Sequence, residues 1–172
     1  MSRGCEKDPP DLGPPTPIAA WLFSEWLQAR PPVVAPAKKP PKGLRILVAA
    51  DHEATRKAFS LTLAPICDVV YMAETGAKAL RALETTRFDL VFIDVHMAEM
   101  GGVQAACGLR DREPAGSHTP VVAIAGRLSD RDREACILAG MDGFAETPIE
   151  AGKLIALAMQ VLAQAKAVVR AA

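Results

Sequence analysis

Long apolar runs are missing from this 172-residue chain. No stretch approaches the roughly 20 residues that span a bilayer, and the start, MSRGCEKDPP, lacks the apolar core of a secretory signal. A soluble, cytoplasmic protein with no transmembrane segment is expected. A surplus of either charge is missing too, since 20 basic residues meet 20 acidic ones. A dedicated nucleic-acid binder carries a basic excess that displaces counterions from phosphates, so no direct DNA binding is expected. Cysteine is sparse: Cys5, Cys67, Cys107 and Cys136 show no CxxC and no Cys/His ligand spacing. That excludes a zinc cage and a disulfide framework and leaves reduced, structural thiols.

Proline is scarce beyond residue 43, where only Pro65, Pro114, Pro120 and Pro148 occur, and dense before it. Residues 1–43 therefore read as a Pro-rich flexible tail, outside any packed domain. Within it, Thr16 as N-cap and Pro17 as first helical residue predict one short amphipathic helix over about 17–30, stopped by Pro31 and Pro32. Its segment IAAWLFSEWLQAR holds both tryptophans, Trp21 and Trp26, with Leu22 between them. That apolar surface is too wide to face water. Three covers are open to it: its own domain, a partner's groove, or a membrane surface, the last weakened by Arg30 being its one basic residue.

From residue 44 to about 168 the pattern becomes short apolar runs alternating with helical periods. Leu44–Ala49, Val69–Ala73, Leu90–Ile93, Val121–Ala125 and Gly143–Ala145 read as strands, and the continuous runs in the first, third and fourth predict burial on both faces. Helices are expected near Ala54–Ala64, Gly76–Thr85, Gly102–Arg112, Asp130–Ala139 and Ile149 to about Arg170, with Ser129 and Asp132 as a capping-box start for the fourth and Gly140 as its stop. Strict alternation makes this an α/β chain, a doubly wound five-stranded parallel sheet with helices on both sides. In such sheets the working site lies beyond the carboxyl ends of the strands.

Two aspartates stand at that edge: Asp51 after the first strand, in RILVAADHE, and Asp94 at the end of the third, in FDLVFIDVHM. Carboxylates converging there suit a hard cation, which takes oxygen ligands, and a carboxylate can itself attack phosphorus to form an acyl phosphate. The alternative is structural: Asp51 caps the first helix and Asp94 merely ends a strand. His52 and His96 flank the pair and open a transition-metal reading, because imidazole with carboxylate suits such ions. His118, in GSHTP, is expected on the exposed surface.

The segments RILVAADHEATRKAFSLTL, FDLVFIDVHMAEMGG, TPVVAIAG and REACILAGMDGFAETPI, in that order, resemble the receiver domain of response regulators and hybrid histidine kinases in two-component signalling. The resemblance implies a (βα)5 flavodoxin-like fold and a phosphorelay role with a histidine kinase or phosphotransfer protein as partner. It also implies that Asp94 is the phosphoacceptor. Magnesium would be held by Asp51, Asp94 and the backbone carbonyl of His96, and Phe144 would be the aromatic residue that moves on activation. The chain departs from the pattern at Ala50, where the family carries an acid, at Ala125, where it carries Ser or Thr, and at Thr147, where it carries Lys; Ala98 stands where Pro is common. Weak Mg2+ binding and attenuated phosphotransfer at Asp94 follow. The expected molecule is a degenerate receiver that acts by protein–protein interaction; the alternative is a conventional phosphoacceptor.

Apolar residues of the last helix, Leu154, Ile155, Leu157, Ala158, Met159, Val161 and Leu162, spread over more than one face. In the resembling family the surface of the fourth helix, fifth strand and fifth helix is where copies or partners dock. A homodimer through that surface and the folded-back Trp helix are the two expected covers. With no output domain after the last helix and no kinase core before Leu44, a stand-alone receiver protein is expected.

Overall fold

The structure is a computed structural model that describes residues 43–171, with side chains to residue 165. The expected helix at 17–30, with Trp21, Leu22 and Trp26, lies outside the described residues. From Gly43 onward the elements are β1 (Arg45–Ala49), α1 (Glu53–Leu63), a 3-10 turn (Ala64–Ile66), β2 (Val69–Ala73), α2 (Gly76–Thr85), β3 (Leu90–Asp94), α3 (Gly102–Arg110), β4 (Val121–Ala125), α4 (Asp130–Leu138), β5 (Gly143–Glu146) and α5 (Ala151–Ala171). The five strands form one sheet in the order β2-β1-β3-β4-β5, parallel at every pairing.

The alternation of side chains along each buried strand divides the core in two. Leu47, Val91, Ile93, Val121 and Ala123 point to one face and pack with Leu80, Leu109 and Cys136 from α2, α3 and α4. Ile46, Val48, Leu90, Phe92, Val122 and Ile124 point to the other, under Phe59 and Leu63 of α1 and Leu154 and Ala158 of α5. Phe59 meets Phe92 edge to face, ring centroids 5.5 Å apart. This two-sided burial is why β1, β3 and β4 lack an alternating polar pattern, whereas the edge strand β2 leaves Val69, Tyr71 and Met72 exposed.

Local chemistry sets the boundaries. Ser129 and Asp132 form the expected capping box on α4, and Gly140 follows that helix at φ +77°, a left-handed conformation glycine adopts without strain. Helix α1 stops at Leu63, one residue short of expectation, because Pro65 carries no amide hydrogen and the chain tightens into the 3-10 turn. Along α5, Ile155, Leu157 and Met159 are half-buried against the α1-side core.

His118 departs from the sequence reading. It is drawn inward, its Nε2 lying 2.6 Å from Asp142 Oδ1, beside an Arg110 that no local pattern announced. Arg110 donates to the carbonyls of Thr119 (2.9 Å) and Gly140 (2.7 Å) and pairs with Glu113 (2.7 Å) and Asp142 (3.2 Å). This polar cluster ties the loops before β4 and β5 at the amino ends of the strands, opposite the edge where Asp51 and Asp94 stand.

Candidate functional site

The strand order reverses direction between β2-β1 and β1-β3, so the crevice beyond the carboxyl ends lies at β1 and β3. Ala49 pairs with Ile93 across those strands, which sets Asp51 and Asp94 at one edge. The residue between, Ala50, is fully buried and gives its amide hydrogen to Ala73 O at 3.1 Å.

Asp51 is not the cap of α1. His52 occupies the N-cap position without a side-chain cap bond, and its Nδ1 instead lies 2.5 Å from Asp51 Oδ1. The loop is held from another side: Arg56 Nη1 donates to Ala50 O (2.6 Å) and to Asp51 O (2.8 Å).

Asp94 ends β3 half-buried, and its Oδ1 accepts the His96 amide hydrogen at 3.0 Å. Burial, and after it the charge of Asp51, push its carboxyl above the usual carboxylate range against the opposing His96 hydrogen bond. The charges acting on it are Asp51, His96 and His52. The following loop is tightly packed. Val95 N–H reaches Ile124 O at 2.9 Å, Glu99 takes φ +66°, and a Cβ at Gly102 would meet Asp94 O at 2.5 Å. Gly76, opening α2, leaves the same room for Met100 O.

Ala125 ends β4 with 1% of its surface exposed and pairs with Glu146. Its carbonyl accepts the Thr147 amide hydrogen at 2.8 Å. Phe144 is half-buried against the α2/α3/α4 core, with the Arg133 guanidinium 5.6 Å from its ring centroid and Arg133 also paired with Glu146.

The edge therefore brings together Asp51, Asp94 and the His96 backbone, while Phe144 and Thr147 stand farther along the sheet. No group of three or more His, Cys, Asp or Glu side chains among the described residues is arranged to hold a metal, so the histidines gain no support as transition-metal ligands. Two carboxylates at one edge suit magnesium in kind, since that ion binds through one or two carboxylates and keeps several waters. The sequence reading missed Arg56 and Arg133, although Arg56 stands five residues after Asp51 on the first turns of the helix that its own loop opens.

The family model of the response regulator receiver domain matches residues 46–159. The sensory/regulatory protein RpfC of Xanthomonas campestris is 31% identical over 115 residues, covering 66% of this chain and 16% of that protein. The signal transduction histidine-protein kinase BarA of Escherichia coli is 27% identical over 111 residues, covering 64% of this chain and 12% of that one. The chain thus spans less than a fifth of the length of these relatives. Among solved structures, Vibrio cholerae CheY4 is similar with a TM-score of 0.65 and 24% identity, over 69% of this chain and 98% of that one. The receiver domain of sensor histidine kinase PA1611 from Pseudomonas aeruginosa, with magnesium coordinated in its active-site cleft, is similar with a TM-score of 0.64 and 23% identity, over 70% of this chain and 98% of that one. No helix among the described residues is long and apolar enough to cross a membrane.

Proposed function

The chain belongs to the response regulator receiver family of two-component phosphorelays, and from that premise we propose that it is a degenerate receiver whose partner binding depends little on phosphorylation. One observation carries the reading. The connection between β4 and β5 beside the site runs through backbone atoms, from Thr147 N–H to Ala125 O at 2.8 Å. Ala125 offers a buried methyl there. A ligand shifts a conformational equilibrium only through contacts that differ between the states, and a methyl makes no hydrogen bond to a phosphoryl oxygen.

The partner is a histidine kinase, a phosphotransfer protein or another signalling protein. Two elements supply the contact: the α4–β5–α5 face, where Leu138 stands exposed, through which a second copy also pairs, and residues 17–30 through Trp21, Leu22 and Trp26.

A phosphoacceptor role is the second reading, and the Asp94 geometry favours it. With Oδ1 held by His96 N–H, Oδ2 is the oxygen left to attack phosphorus. In transfer from phosphohistidine the new O–P bond forms as the P–N bond breaks, and the imidazole leaves to take up a proton. A bound Mg2+, held by Asp51, Asp94 and the His96 carbonyl, would offset the phosphoryl charge. Asp51 and the His96 carbonyl orient that site and Asp94 supplies the nucleophile.

The test compares wild type, Asp94→Asn and Trp21→Ala/Trp26→Ala in binding to a candidate kinase or phosphotransfer protein, with and without a small phosphodonor and Mg2+. Equal binding by wild type and Asp94→Asn is expected under both conditions. A stoichiometric adduct by intact mass that also reorganises the surface around α4 would overturn the degenerate reading in favour of the phosphoacceptor.

A further inference from the structure

The loop from β1 to α1 consists of Ala50, Asp51 and His52, and within it His52 Nδ1 lies 2.5 Å from Asp51 Oδ1. Ala50 N–H is fixed by Ala73 O at 3.1 Å. Helix α1 begins without a side-chain cap, and the chain turns from extended geometry at His52 straight into the helix. On the carbonyl side, His52 O accepts the Arg56 backbone amide hydrogen at 3.2 Å, and a single side-chain nitrogen holds the other two: Arg56 Nη1 bridges Ala50 O at 2.6 Å and Asp51 O at 2.8 Å. Arg56 is half-buried, so these charge-assisted bonds are sheltered from water and stronger than neutral ones.

We infer that Arg56 is a positioning residue of the cation site, fixing the Ala50–Asp51 backbone and through it the direction of the Asp51 carboxylate. The inference rests on the reading that Asp51, Asp94 and the His96 carbonyl take a divalent cation. It has force because Ala50 contributes no carboxylate. With one acidic side chain on the loop, an error in its placement is not shared with a second ligand. Magnesium tolerates little displacement from octahedral geometry, and residues that orient metal ligands typically change affinity by about 10- to 100-fold when removed. Because one nitrogen makes both bonds, a lysine ammonium, with three donors, can replace it, whereas alanine cannot.

The experiment titrates Mg2+ alone into the full chain and follows the backbone amide signals of Asp51 and Asp94 by NMR, with melting temperature recorded for each variant. Wild type, Arg56→Ala, Arg56→Lys and Arg110→Ala are compared. Arg110→Ala loosens the opposite end of the sheet and serves as the control for stability loss by itself. The expected result is a Kd about tenfold higher for Arg56→Ala, most of the affinity recovered in Arg56→Lys, and an unchanged Kd in Arg110→Ala despite its lower melting temperature. Wild-type affinity in Arg56→Ala, or an equal loss in Arg110→Ala, would overturn the positioning role while leaving the cation site standing. Absence of any saturable Mg2+ response in wild type would overturn the cation site, and the inference with it.

Discussion

Restoring a cation at position 147 tests whether the missing lysine limits chemistry at Asp94. Asp94 pairs with Ile124, and Ala125, the residue after Ile124, pairs with Glu146. Thr147 therefore stands two strands across and two residues farther along than Asp94, about 12 Å away at the usual strand spacing and rise. Threonine's short side chain does not bridge that span, while lysine's four-carbon stem with its ammonium covers about half of it and a phosphoryl group on Asp94 extends from the other side. A charge-assisted hydrogen bond from that ammonium to a phosphoryl oxygen is worth about 1.5–3 kcal/mol, or roughly ten- to 150-fold in the extent or rate of labelling. Wild type, Thr147→Lys and Asp94→Asn are incubated with a small phosphodonor and Mg2+, and the adduct is followed by intact mass. Faster labelling of Thr147→Lys, with none in Asp94→Asn, is expected. The α4 surface should not reorganise with it, because Ala125 still offers no hydroxyl. Labelling of Thr147→Lys at the wild-type rate, with Asp94 still reactive, would refute the reasoning: the backbone bond to Ala125 would then hold the new side chain away from the site.

Three further outcomes follow from the geometry. Arg110→Ala removes the bonds to Thr119 and Gly140 and leaves Glu113, 9% exposed, without its ion-pair partner; it should cost about 3 kcal/mol in chemical denaturation, against less than about 0.5 kcal/mol for breaking the exposed Lys57–Glu53 pair. Asp94→Asn should stabilise the fold at neutral pH. The folded chain holds Asp94's proton to higher pH than the unfolded chain does, so stability contributed below the ordinary pKa of 3.8 is lost as pH rises through the raised folded value; the gain should vanish in melts below that ordinary value and be full at neutrality. Gly102→Ala places a Cβ 2.5 Å from Asp94 O and 2.9 Å from Ile93 Cγ2, so it should cost about 2 kcal/mol by overpacking and also slow labelling of Asp94.

The sheet was legible because its central strands are buried on both faces, so the apolar runs at Ile46–Ala49, Leu90–Ile93 and Val121–Ala125 appear uninterrupted. Asp51 and Asp94 were legible because the carboxyl-edge rule depends only on where those runs stop. The helix stop at Gly140 and the Ser129 capping box are local chemistry and were equally visible. Arg56, Arg110 and Arg133 were not. Arg110 reaches Gly140 thirty residues away, and Arg133 reaches Glu146 across an intervening loop, so no periodicity marks either pair. His118 was misread for the same reason: its partner, Asp142, comes from a loop that only the parallel sheet brings beside it. Arg56 is the nearer case, since its partners lie five and six residues back. Its targets are backbone carbonyls, though, and these leave no trace in side-chain pattern.

The retention of a charge at Asp94 calls for a physical reason. Its one hydrogen bond from the backbone, His96 N–H to Oδ1, would be accepted equally well by an asparagine carbonyl. An asparagine would avoid the desolvation and the repulsion from Asp51 that push the Asp94 carboxyl up. The loop around it does not require the charge either: Gly102 and Gly76 let Asp94 O and Met100 O pack against neighbouring backbone, a shape that depends on missing side chains. Packing thus accounts for the loop and not for the carboxylate. On the proposed reading, the destabilising charge answers to something outside the protein that is positive or electrophilic, a divalent cation or a phosphoryl group. Ala125, by contrast, offers only a methyl and Thr147 only a short hydroxyl in place of a long cation, which is why the proposed reading has them transmit little of its arrival to the α4–β5–α5 face. On the proposed reading the two halves of a receiver's work would separate: the carboxylate pair would keep the means to bind and react, and the neighbouring strands would lack the means to report it.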